Sequence, residues 1–386
     1  MKKKIIRVTT VPASLGGLLH GQLKFMANYY EVIGVSSNDP YNILDALQAS
    51  ENIRTVAVDM TRKITPFKDL VSVYKLYKLF RKEKPLIVHS HTPKAGTLSM
   101  IAAKFAGVPH RLHTIAGLPL LEATGLKRLI LNTVEKITYS FATKIYPNSF
   151  GLQDIILEQK FTTKNKLKVI ANGSSNGIDT QIFNPELFNN EEKNNVLKTE
   201  LNISENDFVF IFVGRLVADK GIKELLEAFN NISKTHKAVK LILVGGFETE
   251  LDPLDQETLN IKDTNAQIIS TGWATDVRPY LGISDILVFP SYREGFPNVV
   301  MQSGAMGLPA IVSNINGCNE IIIEGENGTI VPVKNASILL DRMLKVYNKD
   351  LHYNKTTCRD LIVKRYQKQV VWDGILNEYK NLEKQI

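Results

Sequence analysis

The chain has 386 residues, more than one hydrophobic core normally organises, so two domains are expected. Hydrophobic residues make up 44% of it, as in a globular protein, and no stretch reaches the roughly 18 to 20 uncharged apolar residues that a membrane span needs. The net charge is +8, but residues 1–175 carry 25 Lys and Arg against 11 Asp and Glu, whereas residues 176–386 carry 22 against 28. The basic half suits nucleic acid, an anionic membrane or a phosphorylated substrate, or it is simply a lysine-rich soluble surface.

The start of the chain and its cysteines indicate the compartment. The opening MKKKIIRVTT does not match a signal peptide, because Arg7 interrupts the apolar stretch behind the lysines. Cys318 and Cys358 stand alone, without partner spacing, which is typical of a reducing compartment and argues against a cysteine-built metal site. We therefore expect a cytoplasmic protein.

The first half alternates short apolar runs with longer amphipathic segments, which is the pattern of a parallel sheet wound with helices. Segments such as Phe67–Glu83 and Ala95–Ala106 have helix length. The predicted strands are residues 5–11, 30–36, 54–59, 86–91, 110–115, 144–149 and 167–172.

The second half repeats this pattern, and residues 363–386 are predicted to be helical. Its predicted strands are residues 208–214, 240–246, 266–272, 286–291 and 309–313. The connection VIANGSSNGIDTQIF is rich in Gly, Asn and Ser, as a flexible joint would be. We predict an α/β fold of two doubly wound domains, residues 1–173 and 174–368, with the last helix, about residues 369–386, returning to the first domain.

Ligands of open parallel sheets bind beyond the carboxyl ends of the strands, and the notable motifs of this chain all fall at such places. Gly16-Gly17 follows the first strand, where glycines let the backbone approach an anion. The dinucleotide fingerprint spacing is missing, and such a pair alone is more often a plain turn than a phosphate site.

The segment VHSHTPKAG ends the fourth predicted strand and contains His89, His91 and Lys94. Alternation places both histidines on one face of the strand, so a metal is conceivable, but no nearby Asp, Glu or Cys completes a ligand set. We expect a structural role for His89 and a substrate contact for His91.

Two further motifs lie in the second half. VGRLVADKG follows its first strand and places Arg215 and Lys220 beside a helix start, where two cations can hold a pyrophosphate. REGFPNVVMQSGAMGLP follows the strand at 286–291: Glu294 can accept hydrogen bonds from sugar hydroxyls, and the amides of residues 296–299 can face an anion at the start of a helix. Each motif alone could also be an ordinary solvated loop.

Together these residues resemble the retaining, nucleotide-sugar-dependent glycosyltransferases of family 4, which have the GT-B fold of two Rossmann-like domains facing across a cleft. The resemblance covers nearly the whole chain, and it is specific because several motifs occur together. They are Gly16-Gly17, His91 in His-Ser-His-Thr-Pro, Asn176-Gly177-Ile178-Asp179 with Phe183, Gly214-Arg215 to Lys220-Gly221, and Glu294-Gly295-Phe296-Pro297.

The resemblance implies a donor site in the second domain, with Arg215 and Lys220 on the diphosphate and Glu294 on the transferred sugar. It implies an acceptor site in the first domain, with His91 near the sugar, and it implies no metal or other cofactor. The expected catalytic residues are His91, Arg215, Lys220 and Glu294. The expected donor-binding residues are Gly16, Gly17, Gly214, Trp273, Gly295, Phe296, Pro297, Asn298, Val299 and Gln302; for Trp273, a place in the base pocket and a packing role both stay open.

One position departs from the family pattern. The family usually has a second glutamate with seven residues between it and the first, and here the corresponding position is Gln302. A carboxamide keeps one acceptor and adds donors, so a hydrogen bond to the nucleotide ribose is retained while the ionic contribution is lost.

The helix predicted at residues 67–83 interleaves Lys and Arg with aromatic and aliphatic side chains. Such a helix can lie on anionic lipid, or its apolar stripe can face the core with a solvated lysine face outward. The positive charge of the whole first half favours a peripheral membrane location.

We therefore expect a retaining glycosyltransferase that moves a hexose or N-acetylhexosamine from a nucleotide-diphosphate sugar to a lipid-linked saccharide at the cytoplasmic membrane face, in surface polysaccharide biosynthesis. The alternatives are a sugar-nucleotide epimerase of the same fold and a non-catalytic sugar-nucleotide-binding partner subunit. A nucleic-acid partner is not expected, because the basic half has no recognition helix or stacking platform.

Overall fold

The computed structural model describes residues 2–61, 63, 65–118, 120, 123–248 and 252–385. The chain divides into two compact units: unit 1 comprises residues 1–177 and 368–386, and unit 2 comprises residues 178–367. Each unit has its own parallel sheet with helices packed on it, so the α/β class and the two doubly wound sheets predicted from the sequence are confirmed.

Unit 1 contains a sheet in the strand order β3-β2-β1-β4-β5-β6, and all of its neighbouring strands are parallel. Its strands are β1 Lys4–Val8, β2 Glu31–Ser36, β3 Arg54–Ala57, β4 Ile87–Ser90, β5 His110–Ile115 and β6 Lys144–Pro147. The helices between them are α1 Pro12–Leu18, α2 Gln22–Ala27, α3 Ile43–Glu51, α4 Pro66–Glu83, α5 Pro93–Phe105, α6 Gly125–Phe141 and α7 Phe150–Glu158. The central strands β1 and β4 are almost completely buried, as expected where helices cover both faces of a parallel sheet.

The seventh strand predicted for the first half, residues 167–172, is not a strand. Leu167 forms only an isolated parallel bridge to Ile145, and Ala171 has a φ angle of 51°, in the left-handed region and not the extended one. The apolar pattern arises because Leu167 and Ile170 are buried in a turning segment. The apolar residues of this segment thus indicate burial, but the segment does not pair as a strand.

Unit 2 repeats the architecture with the strand order β12-β11-β10-β7-β8-β9. Its strands are β7 Phe208–Val213, β8 Val239–Val244, β9 Ile268–Gly272, β10 Ile286–Phe289, β11 Ala310–Ser313 and β12 Gly328–Val331. Its helices are α8 Glu191–Glu200, α9 Ile222–Thr235, α10 Gln256–Thr264, α11 Arg278–Gly282, α12 Asn298–Ala305, α13 Cys318–Ile321, α14 Ala336–Tyr347 and α15 Lys355–Tyr366.

Strand β12, a four-residue edge strand that begins with glycine, is not among the predicted strands. A Cβ on Gly328 would lie 2.1 Å from the carbonyl oxygen of Ala310 in β11, so this position requires glycine to let the two strands approach. Glycine is otherwise unfavourable in strands, so Gly328, which β12 needs in order to pair with β11, makes the segment look unlike a strand in the sequence.

The helix predicted for residues 363–386 is two helices, because α15 ends at Tyr366 and α16 begins at Lys368 and runs to Glu383; Ile386 lies outside the described residues. Helix α16 packs on unit 1 through a set of buried side chains. The indole of Trp372 donates a hydrogen bond to the side-chain oxygen of Asn176 at 2.7 Å. Helix α16 thus completes the core of unit 1.

Candidate active site

The best-defined polar site of unit 2 lies where the neighbouring strands β7 and β10 end. The loop after β7 carries Arg215 and Lys220, and the loop after β10 carries Glu294. Gly221 brings these loops together: its φ is 69°, and a Cβ there would lie 2.1 Å from the carbonyl oxygen of Pro290. The amide of Tyr292 also donates to the carbonyl of Asp219 at 2.8 Å.

Lys220 and Glu294 form an ion pair at the centre of this site. The ammonium nitrogen of Lys220 lies 2.5 Å from a carboxylate oxygen of Glu294, and the side chains are only 14% and 17% exposed. The hydroxyl of Ser291 donates to the same carboxylate oxygen at 3.2 Å. The two residues that the sequence motifs placed on one ligand are therefore in direct contact, and each holds the other in position.

Arg215 is also paired with a carboxylate, but closer to solvent. Its guanidinium donates to Glu248 at 2.6 Å, and the two side chains are 48% and 38% exposed. Exposed pairs of this kind contribute little stability, since solvent screens them. Arg215 can therefore exchange Glu248 for a stronger anion at small cost.

The loop after Glu294 leads into α12, as the sequence predicted. The side-chain amide of Asn316 donates to the carbonyl of Glu294 at 2.5 Å and to that of Gly295 at 3.3 Å, which fixes the turn. Helix α12 begins at Asn298, and Pro297 at its N-cap has no side-chain acceptor for the first N–H groups. The amides at the start of α12 are thus oriented to bind an anion.

The remaining donor-binding residues predicted for unit 2 lie around this loop. Phe296 is half-buried against Tyr366, with ring centroids 5.4 Å apart, while Asn298 is exposed and Val299 half-buried. Gln302 is half-buried one turn into α12.

Two further predicted residues, Gly214 and Trp273, lie at the ends of strands β7 and β9. Gly214 directly follows β7. Trp273 follows the edge strand β9, two strands away from β7, and is 77% exposed, so the packing role considered for it was wrong. Its place in a base pocket stays a prediction.

Gly16 and Gly17 are not in a loop, contrary to expectation. Both lie inside α1, which begins at Pro12, so their amides are not the free N–H groups of a helix start. A Cβ on Gly16 would lie 2.9 Å from a methyl carbon of Leu47, whereas Gly17 has open space around it. Gly16 therefore serves helix packing, and the two residues belong to unit 1, not to the unit with the ion pair.

In unit 1 the polar site lies at the end of β4. His91 is 4% exposed and its ring is 4.2 Å from that of His89, so the two histidines share a face as predicted. His91 Nε2 accepts a hydrogen bond from the Nε–H of Arg7 at 2.9 Å. Burial, together with the nearby His89 and Arg7, holds the pKa of His91 well below its usual range, so the ring is neutral at physiological pH.

His89 has the structural role expected for it. Its Nδ1 lies 2.5 Å from the hydroxyl of Tyr379 in α16, and its Nε2 lies 2.7 Å from the hydroxyl of Thr114 in β5. Within the ranges that the structure describes, no three His, Cys, Asp or Glu side chains are grouped so that they could hold a metal ion. Lys94, from the same segment, pairs with Asp69 at 2.6 Å and joins the starts of α5 and α4.

Three residues of these sites are not predicted from the sequence: Arg7, Glu248 and Asn316. The rule that ligands bind at carboxyl ends of strands would have found Glu248 and Asn316, because they follow β8 and β11. Arg7 lies inside β1 and is fully buried, and no local pattern distinguishes it from a strand residue with an exposed side chain.

Comparison with known proteins identifies the family. The sequence-family model for glycosyl transferases group 1 matches residues 193–362, and the one for glycosyl transferase 4-like proteins matches residues 18–149. The capsular polysaccharide biosynthesis glycosyltransferase CapM of Staphylococcus aureus is 32% identical over 99% of this chain and 98% of its own length. The UDP-Gal:alpha-D-GlcNAc-diphosphoundecaprenol alpha-1,3-galactosyltransferase of Escherichia coli is 32% identical over 79% of this chain and 77% of its own.

The solved structures agree on the fold. Anabaena Alr3699/HepE, crystallised in complex with UDP, aligns with a TM-score of 0.80 over 99% of this chain and 100% of its own, at 16% identity. This likeness shows the GT-B fold that the sequence predicted. Since a relative that is 32% identical spans almost the whole length, the chain belongs to the family 4 glycosyltransferases.

Proposed function

We propose that the protein transfers a hexose or N-acetylhexosamine, with retention of configuration, from a nucleotide-diphosphate sugar to a lipid-linked saccharide in surface polysaccharide biosynthesis. The observation that carries this proposal is the contact between Lys220 and Glu294 beside the start of α12. It combines a phosphate-binding cation, a sugar-binding carboxylate and oriented backbone amides in one place. The S. aureus and E. coli relatives, a capsular enzyme and one named for a diphosphoundecaprenol acceptor, support the pathway.

In the proposed reaction the donor's diphosphate displaces the carboxylates that pair with the two cations. Arg215 and Lys220 then contact the phosphates, the amides at the start of α12 contact the distal phosphate, and Glu294 is released to accept hydrogen bonds from sugar hydroxyls. The bond between the anomeric carbon and the diphosphate oxygen breaks, and its electron pair leaves on the diphosphate. The acceptor hydroxyl oxygen bonds to the same face of that carbon, and its proton passes to the departing oxygen. Lys220 and Arg215 stabilise the developing charge, so no metal is required.

Gln302 is assigned to the nucleotide ribose. From its position one turn into α12, its carboxamide can both donate to and accept from ribose hydroxyls, which a glutamate cannot do. UDP-sugars are the first donors to test, because the E. coli relative is named for UDP-Gal and the Anabaena structure contains UDP.

We also propose that unit 1 binds an anionic membrane surface, where a lipid-linked acceptor would be found. Helix α4 buries Leu76 and Phe80 in the core, whereas Phe67 is 87% exposed and Leu70 67% exposed. Val71 and Tyr74, next to them, are also exposed, and basic side chains lie between them. The helix thus has a core-facing stripe and a separate exposed apolar patch. In the part of the chain that the structure describes, no helix is both long and apolar enough to cross a bilayer.

The test is transfer by the purified protein. The protein is incubated with UDP-sugars and a short-chain lipid diphosphate saccharide, the glycosylated lipid is detected by mass spectrometry, and the anomeric configuration is read by NMR. An α-linked product from an α-linked donor is expected. Nucleotide release without acceptor and with sugar inversion at C2 would indicate an epimerase instead, and donor binding without turnover would indicate a non-catalytic subunit.

A further inference from the structure

Arg7 is a fully buried cation in the middle of unit 1. It lies in β1 directly opposite His89 of β4, and it is 0% exposed. Its Nε–H donates to His91 Nε2 at 2.9 Å, and one terminal nitrogen donates to the side-chain oxygen of Gln22 at 2.5 Å. Among the described residues, no ion pair joins Arg7 to a carboxylate. The guanidinium of Arg7 is therefore held by hydrogen bonds to neutral side chains.

The guanidinium fixes the protonation of His91. An arginine side chain has only donors, so His91 Nε2 must use its lone pair to accept, and the proton of the neutral ring must be on Nδ1. The doubly protonated ring would direct an N–H at another N–H and add a second positive charge to a buried site. The geometry therefore leaves one form, the Nδ1–H tautomer.

That N–H has no partner within the described part of unit 1. His91 Nδ1 is buried and makes no hydrogen bond there, although buried N–H groups are almost always paired. His91 lines a small cavity with Asn148, Ser174 and Ser175, and its accessible volume of about 10 Å³ has room for one water or one hydroxyl group. The unsatisfied donor thus belongs to a residue that borders space for an oxygen atom.

We propose that Arg7 is a positioning residue that holds His91 neutral with its proton on Nδ1, and so presents Nδ1–H as a fixed hydrogen-bond donor to a hydroxyl oxygen of a bound sugar. The assignment of His91 to a sugar rests on the proposed function. The tautomer does not, because it follows from the contacts of the protein alone.

Arg7 is itself held in place by three other elements. Gln22 at the start of α2, which accepts from Arg7, donates to the carbonyl of Ser175 at 2.9 Å and to the side chain of Asn176 at 3.0 Å. Trp372 of α16 donates to the same oxygen of Asn176, and the ring of Tyr379 lies 6.0 Å from the guanidinium carbon. This network gives Asn176, one of the motif residues, a role in orienting Arg7.

The tautomer is read directly by NMR. Protein labelled with ¹⁵N-histidine is recorded without any ligand in long-range ¹H–¹⁵N spectra between pH 6 and pH 8, and the His91 signals are assigned by their absence in His91→Asn. Wild type should show a protonated Nδ1 and an unprotonated Nε2 throughout. In Arg7→Met the two tautomers should mix, and Arg7→Lys, which keeps a charged donor, should restore part of the bias. If Arg7→Met does not fold, Gln22→Glu is used, which adds a counter-charge and should make His91 easier to protonate. A wild-type ring protonated on Nε2, or on both nitrogens, overturns the proposal.

The contact with a sugar is tested by two replacements that each mimic one ring nitrogen. The amide nitrogen of asparagine can take the place of Nδ1, and that of glutamine the place of Nε2. His91→Asn should therefore keep more activity than His91→Gln, which should lose roughly 10²-fold in kcat, as when a single stabilising donor is removed. Equal loss in both, or better activity in His91→Gln, overturns the proposed contact. If no donor and acceptor pair reacts with wild type, the proposed function fails and the sugar contact with it, while the NMR result still decides the tautomer.

Discussion

At the scale of single residues, the ammonium group of Lys220 is expected to be needed for binding the donor's diphosphate, which would take the place of Glu294 as its partner. Lys220→Ala should lower kcat/KM roughly 10²- to 10³-fold, because a cation that meets developing charge in a protected site is removed. It should also abolish the thermal stabilisation by UDP-sugars, which amounts to about 2.7 kcal/mol when the ligand is at 100 times its dissociation constant.

The matched control is Lys223→Ala, which removes another lysine of the same loop and helix region. Lys223 pairs with Asp255 at 3.3 Å with both side chains about half-exposed, so its loss should change neither kinetics nor ligand-induced stabilisation. Equal behaviour of the two variants in differential scanning fluorimetry would show that Lys220 does not contact the donor.

Glu248 is expected to act as an internal competitor for Arg215. Glu248→Gln removes the charge that pairs with the guanidinium, so UDP should bind two- to fivefold more tightly, corresponding to the few tenths to one kcal/mol of an exposed ion pair. The gain should shrink as salt is added, since the pair is screened. Isothermal titration calorimetry measures it, with Glu257→Gln on α10 as the control for loss of an exposed carboxylate. Weaker binding in Glu248→Gln would instead assign Glu248 to the donor itself.

At the scale of secondary-structure elements, α4 is where the membrane proposal can be separated from folding. Phe67→Ser with Leu70→Ser should weaken binding to anionic vesicles more than tenfold, because each side chain contributes about 1.5 to 3 kcal/mol when buried in an apolar environment. The melting temperature should hardly change, since both side chains are largely exposed in the protein.

Vesicle flotation with phosphatidylglycerol-containing liposomes measures this effect. Leu187→Ser is the control. The side chain of Leu187 is 60% exposed, but it lies on unit 2, in the acidic half of the chain, so its replacement should not change vesicle binding. If wild type binds neutral and anionic vesicles equally, the basic side chains of unit 1 have no part in membrane association.

The elements also show what sequence patterns can predict. The burial pattern of β1, β4, β7 and β10 is local, so their positions and parallel arrangement followed from the sequence. The strand expected at residues 167–172 was wrong because burial was mistaken for pairing.

The candidate site divides in the same way. The family resemblance predicted that Lys220 and Glu294 act on one ligand, and the structure places them in contact at the ends of two neighbouring strands, β7 and β10. Arg7 could not be found, since its role depends on His91, which is 84 residues away. Gly16 and Gly17 were wrongly predicted to lie in the loop after β1, because that loop is short and α1 already begins at Pro12. The two glycines themselves do not indicate where the loop ends.

At the scale of the whole molecule, unit 1 contains buried neutral histidines that make its stability depend on pH. His113 of β5 is 3% exposed and lies 2.8 Å from the hydroxyl of Ser90, and burial lowers its pKa to about 4. The unfolded chain takes up a proton near pH 6.5, whereas the folded chain does not until about pH 4. Between these two pH values the unfolded state binds more protons than the folded state. The stabilising contribution of neutral His113 is therefore complete above pH 6.5 and is lost as the pH falls toward about 4.

The two tryptophans allow this to be measured in unit 1. Trp372 of α16 is buried in the core of unit 1, whereas Trp273 is exposed on unit 2, so in Trp273→Phe the fluorescence reports unit 1. Urea unfolding followed at pH 7 and pH 5 should show a loss of up to about 1.4 kcal/mol per pH unit for each buried histidine.

His113→Asn in the same background isolates one histidine, because asparagine keeps a polar group near Ser90 but does not titrate. The free energy of unfolding of this variant at pH 7 should be lower, since a smaller side chain leaves a cavity. Its free energy of unfolding should decrease less steeply from pH 7 to pH 5 than that of the parent, because one fewer histidine takes up a proton on unfolding. His89 and His91, whose pKa values are also lowered by burial, account for further pH dependence that the variant retains. An unchanged slope would mean that His113 takes up its proton in the folded protein as readily as in the unfolded chain.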